Sequence, residues 1–301
     1  MPSRLMGMSM KRVLPFLLIG LFFLVGASLV VYPLISNTLY EQNQSHVLAE
    51  YDEAVAQTEQ DALEAALEQA RSYNDSLVDS WALLTDPFDP DAIQDPTVEP
   101  YASLLNLAGD GMMGYIEIPK IGVYLPIYHG TTSEVLEEGV GHLQSTSLPV
   151  GGSGTHAVLT GHTGLSGKRL FTDLTEMDLA DVFYLHVMNE TLAYQVERID
   201  IVEPEDTELL VIRKGADLVT LVTCYPYGIN TQRLLVQGTR IPYEQAIEQQ
   251  QRQEDSGETV ESRWQIEYRK AIILCVLIYI PLTIIILLLL FLSKRKKQKK
   301  S

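Results

Sequence analysis

Two apolar runs near the ends of this 301-residue chain limit what it can become. Val13 to Val31 is apolar apart from Pro15, its glycines and Ser28, and follows Arg4, Lys11 and Arg12. Ala271 to Leu292 is apolar or weakly polar throughout and runs into Lys294-Arg-Lys-Lys-Gln-Lys-Lys300. Each is long enough to cross ~30 Å of hydrocarbon as a helix. The basic flanks lie on the terminal side of each run, so the positive-inside tendency puts both termini in the cytoplasm and everything between outside the cell. The first run reads as a retained anchor, because its core is long for a signal peptide and no small-x-small cleavage site precedes Tyr32; a cleaved signal is the alternative.

Charge tracks that topology. All 39 acidic residues lie between the runs, whereas nine of the 22 basic residues sit in the two tails. The middle is thus more acidic than the net charge of −17 implies, which makes nucleic acid a poor partner. Of the two cysteines, Cys275 falls within the second apolar run, where a small apolar residue needs no special reason. Cys224 is therefore alone outside, without an intramolecular disulfide partner. A free thiol on the oxidising side is usually eliminated or used; a buried structural cysteine at a strand end is the plainer alternative.

Between Ser36 and Leu84 the chain is rich in Glu, Gln, Ala and Leu and lacks Pro and Gly. Leu48, Tyr51, Val55, Leu63, Ala66, Leu67 and Ala70 recur at three- and four-residue steps, which predicts one or two amphipathic helices. An unpartnered stalk is the alternative for the first half, and Trp81, Leu83 and Leu84 are expected to dock on the domain C-terminal to them. Asp86 to Pro100 carries four prolines and must run as a loop, with Phe88 as an anchor if the loop folds back. From Gly114 to Pro242, seven or eight short β-branched and aromatic runs separated by turn residues predict an all-β closed barrel or sandwich. Only Leu170 to Met177 reads as a helical turn there. Past Glu244 the sequence becomes a Gln/Glu-rich polar tether.

The chemistry concentrates in Leu218 to Gly238. Leu218 to Thr223 reads as a buried strand ending at Cys224, Tyr225-Pro-Tyr-Gly228 as a turn, and Arg233 opens the returning strand. The thiol and guanidinium would then face each other. A nucleophilic thiol needs a base or a cation, since only a few per cent is thiolate at neutral pH. Among the six histidines, His46 belongs to the helical segment, His186 to an alternating strand, and His156 starts an apolar strand. His129 and His142 sit beside glycines in turn-rich contexts and read as exposed loop residues. His162, in Val158-Leu-Thr-Gly-His-Thr-Gly164, lies just past a strand end between glycines and is the best candidate partner. No histidine pair has metal-ligand spacing, and Cys224 has no second thiol nearby. Arg233 could stabilise an oxyanion or clamp a substrate backbone. Asn230 would be the third member of a papain-like site, but its turn position also explains it.

Thr220-Leu-Val-Thr-Cys224, with Arg233 further on in Asn-Thr-Gln-Arg-Leu-Leu-Val, resembles the signature of sortases, and Leu159-Thr-Gly-His-Thr-Gly164 resembles their histidine segment. The Asp86-Pro87-Phe88 loop and the two flanking spans resemble class C, the pilus-building sortases. The resemblance covers about residues 73–243. It implies an all-β fold, the eight-stranded sortase barrel, with N-terminal extramembrane helices, a lid loop and two flanking transmembrane helices. The corresponding segments are a cytoplasmic tail 1–12, an anchor 13–35, a helical region 36–84, a lid loop 85–110, a catalytic barrel 111–245, a polar tether 246–268, a transmembrane helix 269–293 and a basic tail 294–301.

The resemblance further implies a cysteine transpeptidase, of the hydrolase and thiol-protease class, in which Cys224 attacks the Thr–Gly bond of a Leu-Pro-x-Thr-Gly-type sorting signal. His162 would move protons and Arg233 would hold substrate or oxyanion. A pilin lysine amine would resolve the thioacyl intermediate and lengthen a pilus at the outer face of a Gram-positive membrane. Asp86, Pro87 and Phe88 would form the lid, with Asp86 near Arg233 and Phe88 over the thiol, and no cofactor or metal is required. Tyr225 and Gln232 depart from the residues that relatives often carry, which leaves pilin choice open. The alternatives are attachment of surface proteins or pili to cell-wall peptide, a cysteine protease with water as acceptor, and a non-catalytic membrane-anchored scaffold.

Overall fold

The structure is a computed structural model that describes residues 10–78, 84–89, 97–165, 167–255 and 263–298. The chain divides into two compact units, residues 1–38 with 265–301, and residues 39–264. In the first, the start of helix α1 (Met10–Gln57) meets helix α5 (Arg263–Gln298). Phe22 stacks on Tyr279 with ring centroids 4.7 Å apart, and the Tyr279 hydroxyl donates to the Phe22 carbonyl at 3.0 Å. A Cβ on Gly26 would come within 2.0 Å of that hydroxyl, so glycine permits the close approach. Both helices are long and apolar enough to cross a membrane.

The second unit is an eight-stranded barrel braced by helices. Its strands are β1 (Met112–Ile118), β2 (Val123–His129), β3 (Val140–His142), β4 (Thr155–Thr160), β5 (Val182–Val187), β6 (Glu190–Val202), β7 (Asp217–Tyr225) and β8 (Gln232–Ile241). They close in the order β1-β2-β3-β4-β7-β8-β6-β5, so no strand edge is left open. Pairs β2–β3 and β4–β7 are parallel and the others antiparallel. Alternation along each strand sends Ile116, Ile127, Leu159, Leu185, Tyr194, Leu221 and Val236 into one core. Short helix α3 (Ser133–Glu138), capped by Thr132, joins β2 to β3 and was not legible in the sequence.

Helix α1 runs on to Gln57, with no Gly or Pro after Ser36 to stop it, and ends where the Thr58 hydroxyl donates to the Ala54 carbonyl at 2.8 Å. Its Leu48 and Tyr51 are buried, so this half is not an unpartnered stalk. Helix α2 (Gln60–Leu77) lays Leu63, Leu67, Ala70 and Asn74 against the barrel. The Asn74 amide donates to the Leu148 carbonyl at 3.0 Å and accepts from the Leu148 N–H at 2.7 Å, satisfying both main-chain groups of this buried loop residue. Of the expected dock, Leu84 packs on the barrel, while Trp81 and Leu83 lie outside the described residues.

Two sequence expectations are corrected. The segment read as a polar tether 246–268 begins as helix α4 (Tyr243–Asp255), because Glu and Gln favour helix and a short apolar stripe suffices to dock it. Ala246 is fully buried against Val182, Tyr184 and Ala193, and Gln250 accepts from the Tyr184 hydroxyl at 2.9 Å. His129 and His142 are not exposed loop residues, since they sit at the β2–β3 junction against the buried Tyr101 ring. The Tyr101 hydroxyl lies 2.8 Å from His142 Nδ1, and burial pushes the His142 imidazole down to about 4, so it is neutral at physiological pH.

Candidate active site

Two ladders assemble the site. In the antiparallel β7–β8 pair Cys224 is directly opposite Arg233. In the parallel β4–β7 pair the last matched residues are Thr160 and Val222. The contact continues one residue further, for the Gly161 N–H donates to the Val222 carbonyl at 3.1 Å and the Thr223 hydroxyl donates to the Gly161 carbonyl at 2.7 Å. Carrying this register on by one more residue sets His162 level with Cys224, one strand spacing of about 5 Å away. Extended in this way, the register sets His162, just past the end of β4, beside the facing pair of Cys224 and Arg233.

Alternation decides which way they face. Ala157, Leu159, Val219, Leu221, Leu234 and Val236 point into the barrel. Val158, Val222 and Leu235 point out, into a second apolar cluster with Leu143 and Leu210. Cys224 and Arg233 share the parity of Val222 and Leu235, so they open onto the outer face. The glycines beside His162 have local reasons. A Cβ on Gly161 would meet the Phe171 ring at 2.8 Å, and Gly164 has φ +72°. Asn230 also takes a positive φ of 62°, which turns its carbonyl to accept from Arg233 Nη1 at 3.1 Å. Its part is the backbone one that the turn suggests.

The loop residues Leu84 to Asp89 cover these groups. Asp86 accepts from Arg233 Nε at 2.8 Å and from Nη2 at 2.5 Å, a two-point carboxylate–guanidinium pair. Asp86 also accepts from the Phe88 N–H at 3.3 Å, and the Asp89 N–H donates to the Asp86 carbonyl at 3.1 Å, closing a tight turn with buried Pro87 inside it. That turn swings Phe88 between the other two groups. Its ring centre is 5.5 Å from that of His162 and 5.1 Å from the Arg233 guanidinium carbon. Leu84 and Phe88 pack on the outward cluster of Val158, Val222 and Leu235, with Leu209 and Leu210 of the β6–β7 connection as a side wall.

Burial of these groups alters their titration. Burial pushes the Cys224 thiol up, with the Asp86 charge adding to the rise and Arg233 opposing it. Burial pushes the His162 imidazole down, opposed by Glu137. Thiol and imidazole are therefore both favoured in their neutral forms while the loop is seated, and Arg233 is neutralised by Asp86. Glu137, Phe171 and Asn230 shape this environment, and only Asn230 carried a signal in the sequence, through its turn context.

A thiol, an imidazole and a guanidinium gathered at the edge of a closed β-barrel, beneath a seated loop, have the groups that a cysteine-dependent acyl-transfer site requires. The profile of the sortase domain matches residues 116–241. Sortase C of Streptococcus pneumoniae is 44% identical and superimposes with a TM-score of 0.60, covering 66% of this chain and 97% of that one. Sortase C-1 of Actinomyces oris is 46% identical over 60% of this chain and 99% of its own, with a TM-score of 0.56. Sortase D of Bacillus subtilis is 30% identical over 131 residues, 42% of this chain and 63% of its own length. The chain thus spans less than two thirds of the curated relatives that it matches. It belongs to the sortase family of cysteine transpeptidases, and within that family to class C.

Proposed function

We propose that this chain is a membrane-anchored transpeptidase that joins pilin subunits through Cys224, His162 and Arg233. What supports the reading is the pairing of Cys224 with Arg233, together with Asp86 bound to that Arg233 and Phe88 placed beside His162. Cys224 Sγ attacks the Thr carbonyl carbon of a Leu-Pro-x-Thr-Gly-type signal, and the thiol proton passes through His162 to the Gly nitrogen as the Thr–Gly bond breaks. A thioester to Cys224 and a free Gly amine result. A pilin lysine amine then attacks the thioester, gives its proton to His162, and releases the thiol as the isopeptide bond forms. Arg233 stabilises the oxyanion of each tetrahedral intermediate, a task for which an unpaired guanidinium is required. Asp86, Pro87 and Phe88 act as a lid that must leave first, because Asp86 occupies that guanidinium.

The barrel works on the extracellular side, with α1 and α5 as anchors and both termini cytoplasmic, in keeping with the basic residues at the outer ends of the two apolar runs. The S. pneumoniae sortase C is described as having pilin substrate specificity, and a group B Streptococcus sortase C1 belongs to a pilus island. The test is incubation of the full-length protein, wild type and Asp86→Ala, with a Leu-Pro-x-Thr-Gly peptide and then intact-mass analysis. A Cys224 adduct that transfers to a pilin lysine is expected. Transfer only to a cell-wall amine or to water would replace the polymerase reading with an anchoring enzyme or a protease. An unmodified Cys224 in both proteins would leave a scaffold.

A further inference from the structure

Beside the reacting groups, one step back along the strands, lies Thr160. It has the parity of Val158, points to the outer face, and is level with Val222 and, across β7, with Leu235. Its residue is fully buried, and Thr160 Oγ1 has no hydrogen-bond partner; among the described residues only Gln44 Oε1 shares that condition. Buried hydroxyls are almost always paired, so an orphan calls for a reason. Its neighbours on the same face are satisfied. His156 Nε2 lies 2.7 Å from the Thr220 hydroxyl, Gln237 donates to that hydroxyl at 3.2 Å, and the Thr146 hydroxyl donates to the Leu143 carbonyl at 2.7 Å. The seated loop brings apolar Leu84 and Phe88 to this floor and provides Thr160 with nothing to bond.

We infer that the Thr160 hydroxyl is a substrate-binding group that donates to a main-chain carbonyl of the bound sorting peptide, and is left unpaired while the lid occupies the groove. The inference rests on the transpeptidase reading and adds a recognition contact to it. Two residues along β4 separate Thr160 from His162, a rise of about 6.6 Å. An extended peptide with its scissile Thr at Cys224 covers that distance in about two residues, at ~3.3 Å each. The apolar floor of Val158, Val222 and Leu235 suits the Leu-Pro end of the signal, so the residue reached is the proline. Proline has no N–H, and its carbonyl is the main-chain group that a hydroxyl donor can meet there.

The test uses the full-length protein in the Asp86→Ala background with Cys275→Ala, comparing Thr160→Val and Thr160→Ser. Three quantities are read: Cys224 acylation by a Leu-Pro-x-Thr-Gly peptide, Cys224 alkylation by iodoacetamide, and the melting temperature. Thr160→Val is expected to lower the second-order acylation rate about tenfold, or ~1.4 kcal/mol. Alkylation and melting temperature should hold, and Thr160→Ser should recover most of the acylation. Acylation of Thr160→Val within twofold of its parent overturns the inference. So does an equal loss in both variants, a matching loss of alkylation, or a melting temperature several degrees lower, since each assigns Thr160 to packing or to the thiol instead. Failure of the parent itself to acylate overturns the transpeptidase reading, and the inference with it.

Discussion

Replacing Asp86 with alanine should expose Cys224 by a calculable amount. The Asp86 and Arg233 side chains retain only 12% and 10% exposure, so their pair is better shielded than a surface ion pair. Two charge-assisted hydrogen bonds at 2.8 and 2.5 Å are lost together. With a discount for the remaining solvent contact, the closed loop loses about 2–3 kcal/mol. At ~1.4 kcal/mol per factor of ten, the open fraction rises about 30- to 140-fold. Removing the carboxylate also withdraws one of the influences that push the thiol up, which acts in the same direction. The assay is the rate of iodoacetamide labelling at pH 7.5 on full-length protein carrying Cys275→Ala, read by intact mass. Asp86→Asn, which keeps an acceptor but no charge, should fall between the two. An Asp86→Ala rate within twofold of wild type would refute the reasoning, because it would mean that the pair does not hold the loop over the thiol.

The same labelling assay should give a minimum against pH. Burial in the closed site lowers the His162 pKa, so His162 contributes to closure above its ordinary value of ~6.5, and that contribution is lost as pH falls through the lowered value. It raises the Cys224 pKa, so Cys224 contributes below ~8.5, and that contribution is lost as pH rises through the raised value. Labelling corrected for thiolate fraction should therefore be slowest between those limits, and a flat profile would count against both shifts. Asn74→Ala strands the buried N–H and carbonyl of Leu148 and should cost about 2–4 kcal/mol in chemical denaturation of the barrel. Gly161→Ala drives a methyl into Phe171 at 2.8 Å, and should slow peptide acylation at least about tenfold through misplacement of His162 while the far-ultraviolet circular dichroism is retained.

Much of the site is visible in the sequence because its local chemistry is strong. A solitary outer cysteine at the end of a β-branched run, an arginine opening the next run, and a histidine between glycines are each marked by short-range pattern. The hairpin of β7 and β8 is local too, so the opposition of Cys224 and Arg233 comes from adjacent segments. The position of His162 is different, because it depends on a parallel pairing of β4 with β7 across about 60 residues, and no local pattern encodes that partner. His129 and His142 misled for the same reason. Glycine neighbours mark a turn, whereas burial came from the three-residue strand β3 and from Tyr101 arriving from a distant segment.

The apolar runs at the two ends, the helical period of residues 48–70 and the all-β character of the middle are set by the sequence alone, since each is a property of consecutive residues and their spacing. Closure of the barrel, the depth at which the three polar groups sit, the seating of Asp86 on Arg233 and the orphaned hydroxyl of Thr160 belong to the tertiary structure. They arise where segments far apart in the chain meet, and burial, which sets the state of a thiol or the cost of an unpaired hydroxyl, exists only once they have met.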